Sequence, residues 1–223
     1  MKEKKNLKKI FSIIGIVAIG IYLFFYLITS GINLFSNLRL VGFTASILSS
    51  LWTIFKNIVI YGFMCFYLIY EMIKKSDKHD KVFHIILFVA FCIIALSSFI
   101  GIINKISTLV KVGHYLNGIK IVGYIVDILN NILKIGLATL FGINTMGLVV
   151  NKKLPTKILT FIIWGLLALI LINSVISIII TLIGTINARI ILVALGALIN
   201  SFALSVAETC LAFILYDKSK SEK

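Results

Sequence analysis

Asp127, Asn130, Asn131 and Lys134 stand at i, i+3, i+4 and i+7 within an otherwise apolar run, Ile121 to Val150. On a helix that spacing stacks all four on one face, while Ile125, Val126, Ile128, Leu129, Ile132 and Leu133 cover the rest. The run is long enough to cross a bilayer, and a charged side chain in hydrocarbon costs roughly 2.5 to 3.5 kcal/mol on insertion scales. Such a face therefore looks at protein, trapped water or the headgroup layer. Where it meets a cavity, its lysine attracts an anionic or zwitterionic solute.

Two further ionisable residues lie inside apolar runs. Lys56 keeps company with Ser46, Ser49, Ser50, Thr53, Asn57 and Tyr61, and Glu208 with Ala197, Asn200, Ser201 and Ser205, all at helical spacing. Small and hydroxyl residues in that pattern let helices approach closely. Glu208 lies ten residues before Lys218, about 15 Å of helix, which places it near mid-membrane and out of snorkelling reach. The pattern predicts an outward-facing polar cavity lined by Lys56, Asn57, Asp127, Asn131, Lys134 and Asn200 and floored by Glu208, which could take up a coupling proton. Lys56, Asp127, Lys134 and Glu208 form a neutral set, two positive and two negative.

Each residue also has a plainer reading. Lys56 and Lys134 can reach the outer headgroups along their stems. Asp127 can be solvated near the surface, and Asn130 and Asn131 can serve as interhelical glue. Glu208 can be a buried, protonated carboxyl with an internal partner. Residues 121–134 can also lie as an amphipathic helix in the interface, leaving 135–150 to cross.

Composition decides which other chemistries are open. The chain has 223 residues, 60% of them hydrophobic and 13% charged, which is the balance of an integral membrane protein. Its 22 basic residues outnumber 8 acidic ones, yet most lysines cluster at the ends of apolar runs, where topology puts them, and no basic soluble module suggests nucleic acid. Cys65, Cys92 and Cys210 lie singly in apolar runs, and His79, His84 and His114 are scattered, so neither a metal site nor a cofactor is expected. No GxSxG is present, and His84 and Cys92, eight residues apart, stand two turns from each other. A nucleophile and its base need hydrogen-bond contact, so the expectation is a protein that is not an enzyme.

The elements that must position the polar face are six apolar spans, at about 10–30, 45–70, 82–103, 121–150, 158–183 and 190–216. They make one integral, all-α domain, with a basic leader over 1–9 and a basic tail over 217–223. The first run is longer than a secretory signal and lacks a small-residue cleavage site, so it reads as a span. Gly31 to Thr44 reads as a mixed outer linker, residues 104–120 as the longest loop, and Lys74 to Lys81 and Asn151 to Lys157 as basic turns, the latter holding Pro155. The leader, the two basic turns and the tail hold 15 Lys and Arg, and the opposite loops hold 5, which places both termini in the cytoplasm of a cell membrane.

Read as hairpins, the chain falls into three units, each opening after a lysine (Lys9, Lys81, Lys157) and closing at one (Lys74, Lys152, Lys218). Eighteen residues before each closing lysine stand Lys56, Lys134 and Asn200, at one depth. This is either a duplicated hairpin or the periodicity that any alternation of spans and basic turns produces. The even spans are the more polar, which predicts an inner bundle of spans 2, 4 and 6 shielded by 1, 3 and 5.

Two functions fit this pattern. One is a small polytopic carrier or membrane-embedded solute-binding subunit. Six spans in this length are similar, in architecture alone, to the substrate-binding membrane subunits of vitamin importers; with no nucleotide-binding segment here, use of ATP implies an ATPase partner. The other is a non-transporting accessory, immunity or assembly protein, acting through helix contacts with a larger membrane partner and through basic turns on anionic lipid.

Overall fold

A computed structural model describes residues 2–41, 45–74, 80–150, 156–184 and 188–221. These residues form six long helices: α1 (Lys2–Val41), α2 (Ala45–Ile73), α3 (Asp80–Val112), α4 (Gly118–Val149), α5 (Thr156–Gly184) and α6 (Ala188–Ser221). A single 3-10 turn, Gly113–Tyr115, lies between α3 and α4. The protein is all-α, and each helix holds an apolar stretch of at least 24 residues. At 1.5 Å per residue that spans about 36 Å, more than the roughly 30 Å of bilayer hydrocarbon.

Helices consecutive in the chain pack side by side, and α6 closes the ring against α1. The α3/α4 and α1/α6 contacts are the most extensive, α2 and α3 touch least of the pairs adjacent in the ring, and α4 meets α6 more lightly still across the middle. Stacked rings fix the tight pairs: Phe91 on Phe141 joins α3 to α4 at 4.7 Å, and Phe11 on Phe213 joins α1 to α6 at 4.1 Å. At Gly15 the missing side chain matters, because a Cβ there would meet Leu68 Cδ1 at 2.7 Å and Cys210 Cβ at 3.2 Å. Three helices converge on that point.

The expected inner triad of even spans is not the arrangement found. Half of the α6 stretch and 44% of the α4 stretch are buried, whereas α2 is 28% buried, the same as α1. One side of α2 is covered with exposed Trp52, Phe55, Phe63 and Phe66, which suit lipid. Its polar residues occupy one stripe instead of surrounding the helix.

Two expected loops are helical. α1 continues through the stretch read as a linker to Val41, and α3 runs on to Val112, so the connection to α4 shrinks to a few residues. Falling hydropathy marked these stretches as loops, but residues 104–112 contain no glycine or proline to stop a helix. The Thr108 hydroxyl donates back to the Asn104 carbonyl at 2.8 Å, which absorbs its polarity within the helix. Asn117 caps α4 by accepting from the Lys120 N–H at 3.0 Å, and α4 then runs unbroken for 32 residues. α6 likewise extends past 216 to Ser221, taking Asp217 and Lys218 into the helix. Pro155 and most of the two basic turns lie outside the described residues.

Candidate functional site

The half of the bundle away from the chain termini holds an open cavity of about 440 Å³ between α1, α2, α3, α4 and α6. Lys56, Asn57, Asn131, Lys134 and Asn200 line it, together with Tyr26, Thr53, Ser97 and Ser201. α2 supplies Lys56 and Asn57, α4 supplies Asn131 and Lys134, and α6 supplies Asn200. The volume lies within the usual range of ligand pockets. Among the described residues none of its lining side chains is acidic. Lys56 Nζ donates to Ser97 Oγ of α3 at 2.8 Å, bridging α2 to α3 across the cavity wall. Asn200 Oδ1 is buried and has no hydrogen-bond partner among the described residues, so the lining offers an acceptor as well as cations.

A second chamber of about 60 Å³ adjoins the first on the side toward the termini, and Tyr61, Ile94, Lys134, Ser201 and Leu204 belong to both walls. It has room for a few water molecules at most. Glu208, 8% exposed, faces it, as do Ser174 of α5 and Ser205 of α6. Lys134 is thus the cation that looks into both chambers. Neither Lys134 nor Glu208 makes a direct ion pair among the described residues.

Asp127 is not in this lining. Its Oδ2 pairs with Lys105 of α3 at 2.6 Å and its Oδ1 accepts from Ser177 of α5 at 3.4 Å. The reason is the helical continuation of α3, which carries Lys105 alongside α4 where a loop was expected. Seven residues separate Asp127 from Lys134, about 10 Å along the axis, so sharing a face does not mean sharing a cavity. The expected neutral quartet is therefore divided: Lys56, Lys134 and Glu208 gather around two joined chambers, and Asp127 answers to a lysine outside the set. Asn131 spends one amide hydrogen within its own helix, on the Asp127 carbonyl at 3.0 Å, whereas Asn173 of α5 donates to the Val126 carbonyl of α4 at 2.9 Å and is the amide that ties two helices together here.

The largest ionic assembly was missed. Where both termini meet, Glu71 of α2 pairs with Lys218 of α6 at 2.5 Å and with Lys8 of α1 at 2.7 Å. Asp80 of α3 pairs with Lys218 at 2.6 Å and with Lys74 at 2.8 Å, and accepts from the Tyr70 hydroxyl at 2.8 Å. His84 Nε2 lies 3.2 Å from the Tyr67 hydroxyl and 3.3 Å from Lys218 Nζ. The Glu71 side chain is fully buried, and that of Lys218 is 5% exposed. Four helices are tied at this one point. The signal was present in the spacing, since Tyr67, Glu71 and Lys74 share one face of α2, and Asp80 and His84 one face of α3. Reading these lysines only as topology markers concealed it.

Fold and site together define a multi-pass helical membrane protein with a cationic, polar cavity between its helices. No protein-family model matches the chain, and no curated protein or solved structure is significantly similar to it, so the class rests on the geometry.

Proposed function

We propose that this protein is a small polytopic membrane carrier, or a membrane-embedded solute-binding subunit, whose solute occupies the cavity lined by Lys56, Asn57, Asn131, Lys134 and Asn200, with Glu208 in the chamber below. Its work is binding and passage without covalent chemistry. Both termini lie in the cytoplasm, so the cavity sits in the outer half of the membrane and the ion-paired cluster closes the inner half. The carrying observation is the 440 Å³ cavity itself, because two lysines and three amides from α2, α4 and α6 meet there instead of turning to lipid or headgroups. That Lys56, Lys134 and Asn200 all line it also supports the reading of three related hairpins. If transport uses ATP, a partner subunit provides it.

The test asks whether water reaches the lining. Single cysteines at positions 57, 131 and 200, in a chain with Cys65, Cys92 and Cys210 replaced, are challenged from the outer face with a membrane-impermeant thiol reagent. Positions 125, 129 and 132, whose isoleucine and leucine side chains are exposed on the lipid side of α4, serve as references. The expected result is labelling of the cavity positions about tenfold faster or more. Labelling as slow as at the reference positions overturns the carrier reading, returns the amides to helix glue and leaves an accessory or assembly role with a membrane partner.

A further inference from the structure

The charge around the two chambers is unbalanced. Lys56 and Lys134 against Glu208 leave one formal positive charge, and Asp127, which could have cancelled it, is engaged by Lys105. A cation in a low-dielectric site is costly unless something neutralises it, and the cavity is far larger than a single ion requires. The donors presented to it by Lys56, Lys134 and Asn57 favour an occupant rich in acceptors.

The α2/α3 boundary indicates how such an occupant arrives. These helices are pinned at the terminus end, where Tyr70 stacks on Phe83 at 3.9 Å and Tyr70 and Lys74 hold Asp80. Taken over their whole length they make the sparsest contact of any pair adjacent in the ring, and away from the pinned end the Lys56–Ser97 hydrogen bond crosses the boundary. A neutral hydroxyl is a weaker partner for an ammonium than an oxyanion, so an arriving anion can take Lys56 from Ser97 and release that bridge as it binds.

We propose, resting on the solute-binding reading above, that the cavity takes one monoanionic oxyacid group, a carboxylate or a phosphodiester, held by Lys56 and Lys134 and admitted sideways between α2 and α3. The same chemistry is offered by an anionic lipid headgroup and by a free soluble anion. The sideways route favours a molecule that already resides in the bilayer.

The experiment equilibrates the full-length protein with vesicles of equimolar phosphatidylglycerol and phosphatidylcholine, then counts retained lipids by native mass spectrometry. A parallel calorimetric arm uses dimethyl phosphate and acetate as chain-free probes. Preference for phosphatidylglycerol, cut about tenfold or more by Lys56→Met and increased by Glu208→Gln, supports both the anion and the lipid source. The glutamine variant removes the acid that opposes Lys134, so its gain separates a binding role from damage to the fold. Binding of the chain-free probes that depends on Lys56, without lipid preference, upholds the monoanion and overturns the sideways route. A lipid preference unchanged by Lys56→Met belongs to the basic turns and overturns the proposal, as does no anion binding in either arm. Such failure with fast thiol labelling leaves the solute-binding reading standing, whereas slow labelling removes that reading itself.

Discussion

Glu71→Gln is the most informative single change, because it removes one charge and leaves the shape almost untouched. Glu71 is fully buried as a side chain and is met by Lys218 at 2.5 Å, Lys8 at 2.7 Å and Lys74 at 3.6 Å. Neutralising it leaves three lysines crowded together, with Asp80 the remaining acid of the cluster among the described residues. Breaking a buried pair from one side costs about 3 to 5 kcal/mol, since the surviving charge stays desolvated and unmatched. For a chain of this size, 1 kcal/mol moves the melting midpoint by about 2 to 4 °C, so the expected loss is roughly 6 to 20 °C. The assay follows the monodisperse gel-filtration peak after heating in detergent. Lys8→Met is the reference: its side chain is 19% exposed and meets one acid, and it should cost roughly 1 kcal/mol. Combining Glu71→Gln with Lys218→Met should recover about 0.5 to 3 kcal/mol relative to the sum of the single losses. A shift of less than about 2 °C in Glu71→Gln, with no coupling to Lys218, refutes the claim that this cluster is dry and holds four helices together.

Three other outcomes follow from the packing. Asp127→Asn, which breaks a pair with both side chains about a third exposed, should cost no more than about 1 kcal/mol and leave thiol labelling at position 131 intact; a larger loss shows that Asp127 belongs to the inner site after all. Gly15→Val should loosen α1 from α2 and α6, because Cys210 Cβ cannot rotate away as the end of Leu68 can; crosslinking between cysteines on α1 and α6 should fall, and an unchanged yield removes Gly15 as the contact point. Ser97→Ala should leave stability within about 1 kcal/mol, because Lys56 can turn to water in the cavity; a loss of several kcal/mol means that no water stands within its reach.

The six helices were legible because hydropathy and length are strong signals and nothing else in the chain competes with them. Their ends were not, for a specific reason: residues 104–112 lose hydropathy without acquiring a helix breaker, and a hydropathy reading cannot distinguish a helix leaving hydrocarbon from a helix ending. The same ambiguity reaches the site, since a loop over 104–120 gives Lys105 no register against Asp127, and only the helical continuation of α3 brings the two together. The gathering of Lys56, Asn57, Asn131, Lys134 and Asn200 around one cavity follows from the side-chain stripes on α2, α4 and α6. The ring order does not follow from them, because the stripe on α2 shows which face turns inward and not how far that helix stands from the axis. The terminus-end cluster escaped because its acids sit among lysines that a topology count treats as interchangeable positive charge.

The two groups of charged residues differ in how completely they are matched, and that difference separates support from function. At the terminus end Glu71 and Asp80 each meet more than one cation, and His84 and two tyrosines occupy further valences. An assembly so satisfied has little left to offer a ligand; its work is to hold α1, α2, α3 and α6 in place. Among the described residues of the cavity, Lys56 is met by a single hydroxyl, Asn200 keeps a buried oxygen unpaired, and Lys134 and Glu208 face the same small chamber without forming a direct pair. Glu208 and the buried Asn200 oxygen bear a desolvation cost, and the half-buried lysines a smaller one, so the unmatched set is stable where water or a bound group supplies the missing partners. That is why the proposed binding function is placed at the sparser constellation and not at the larger one.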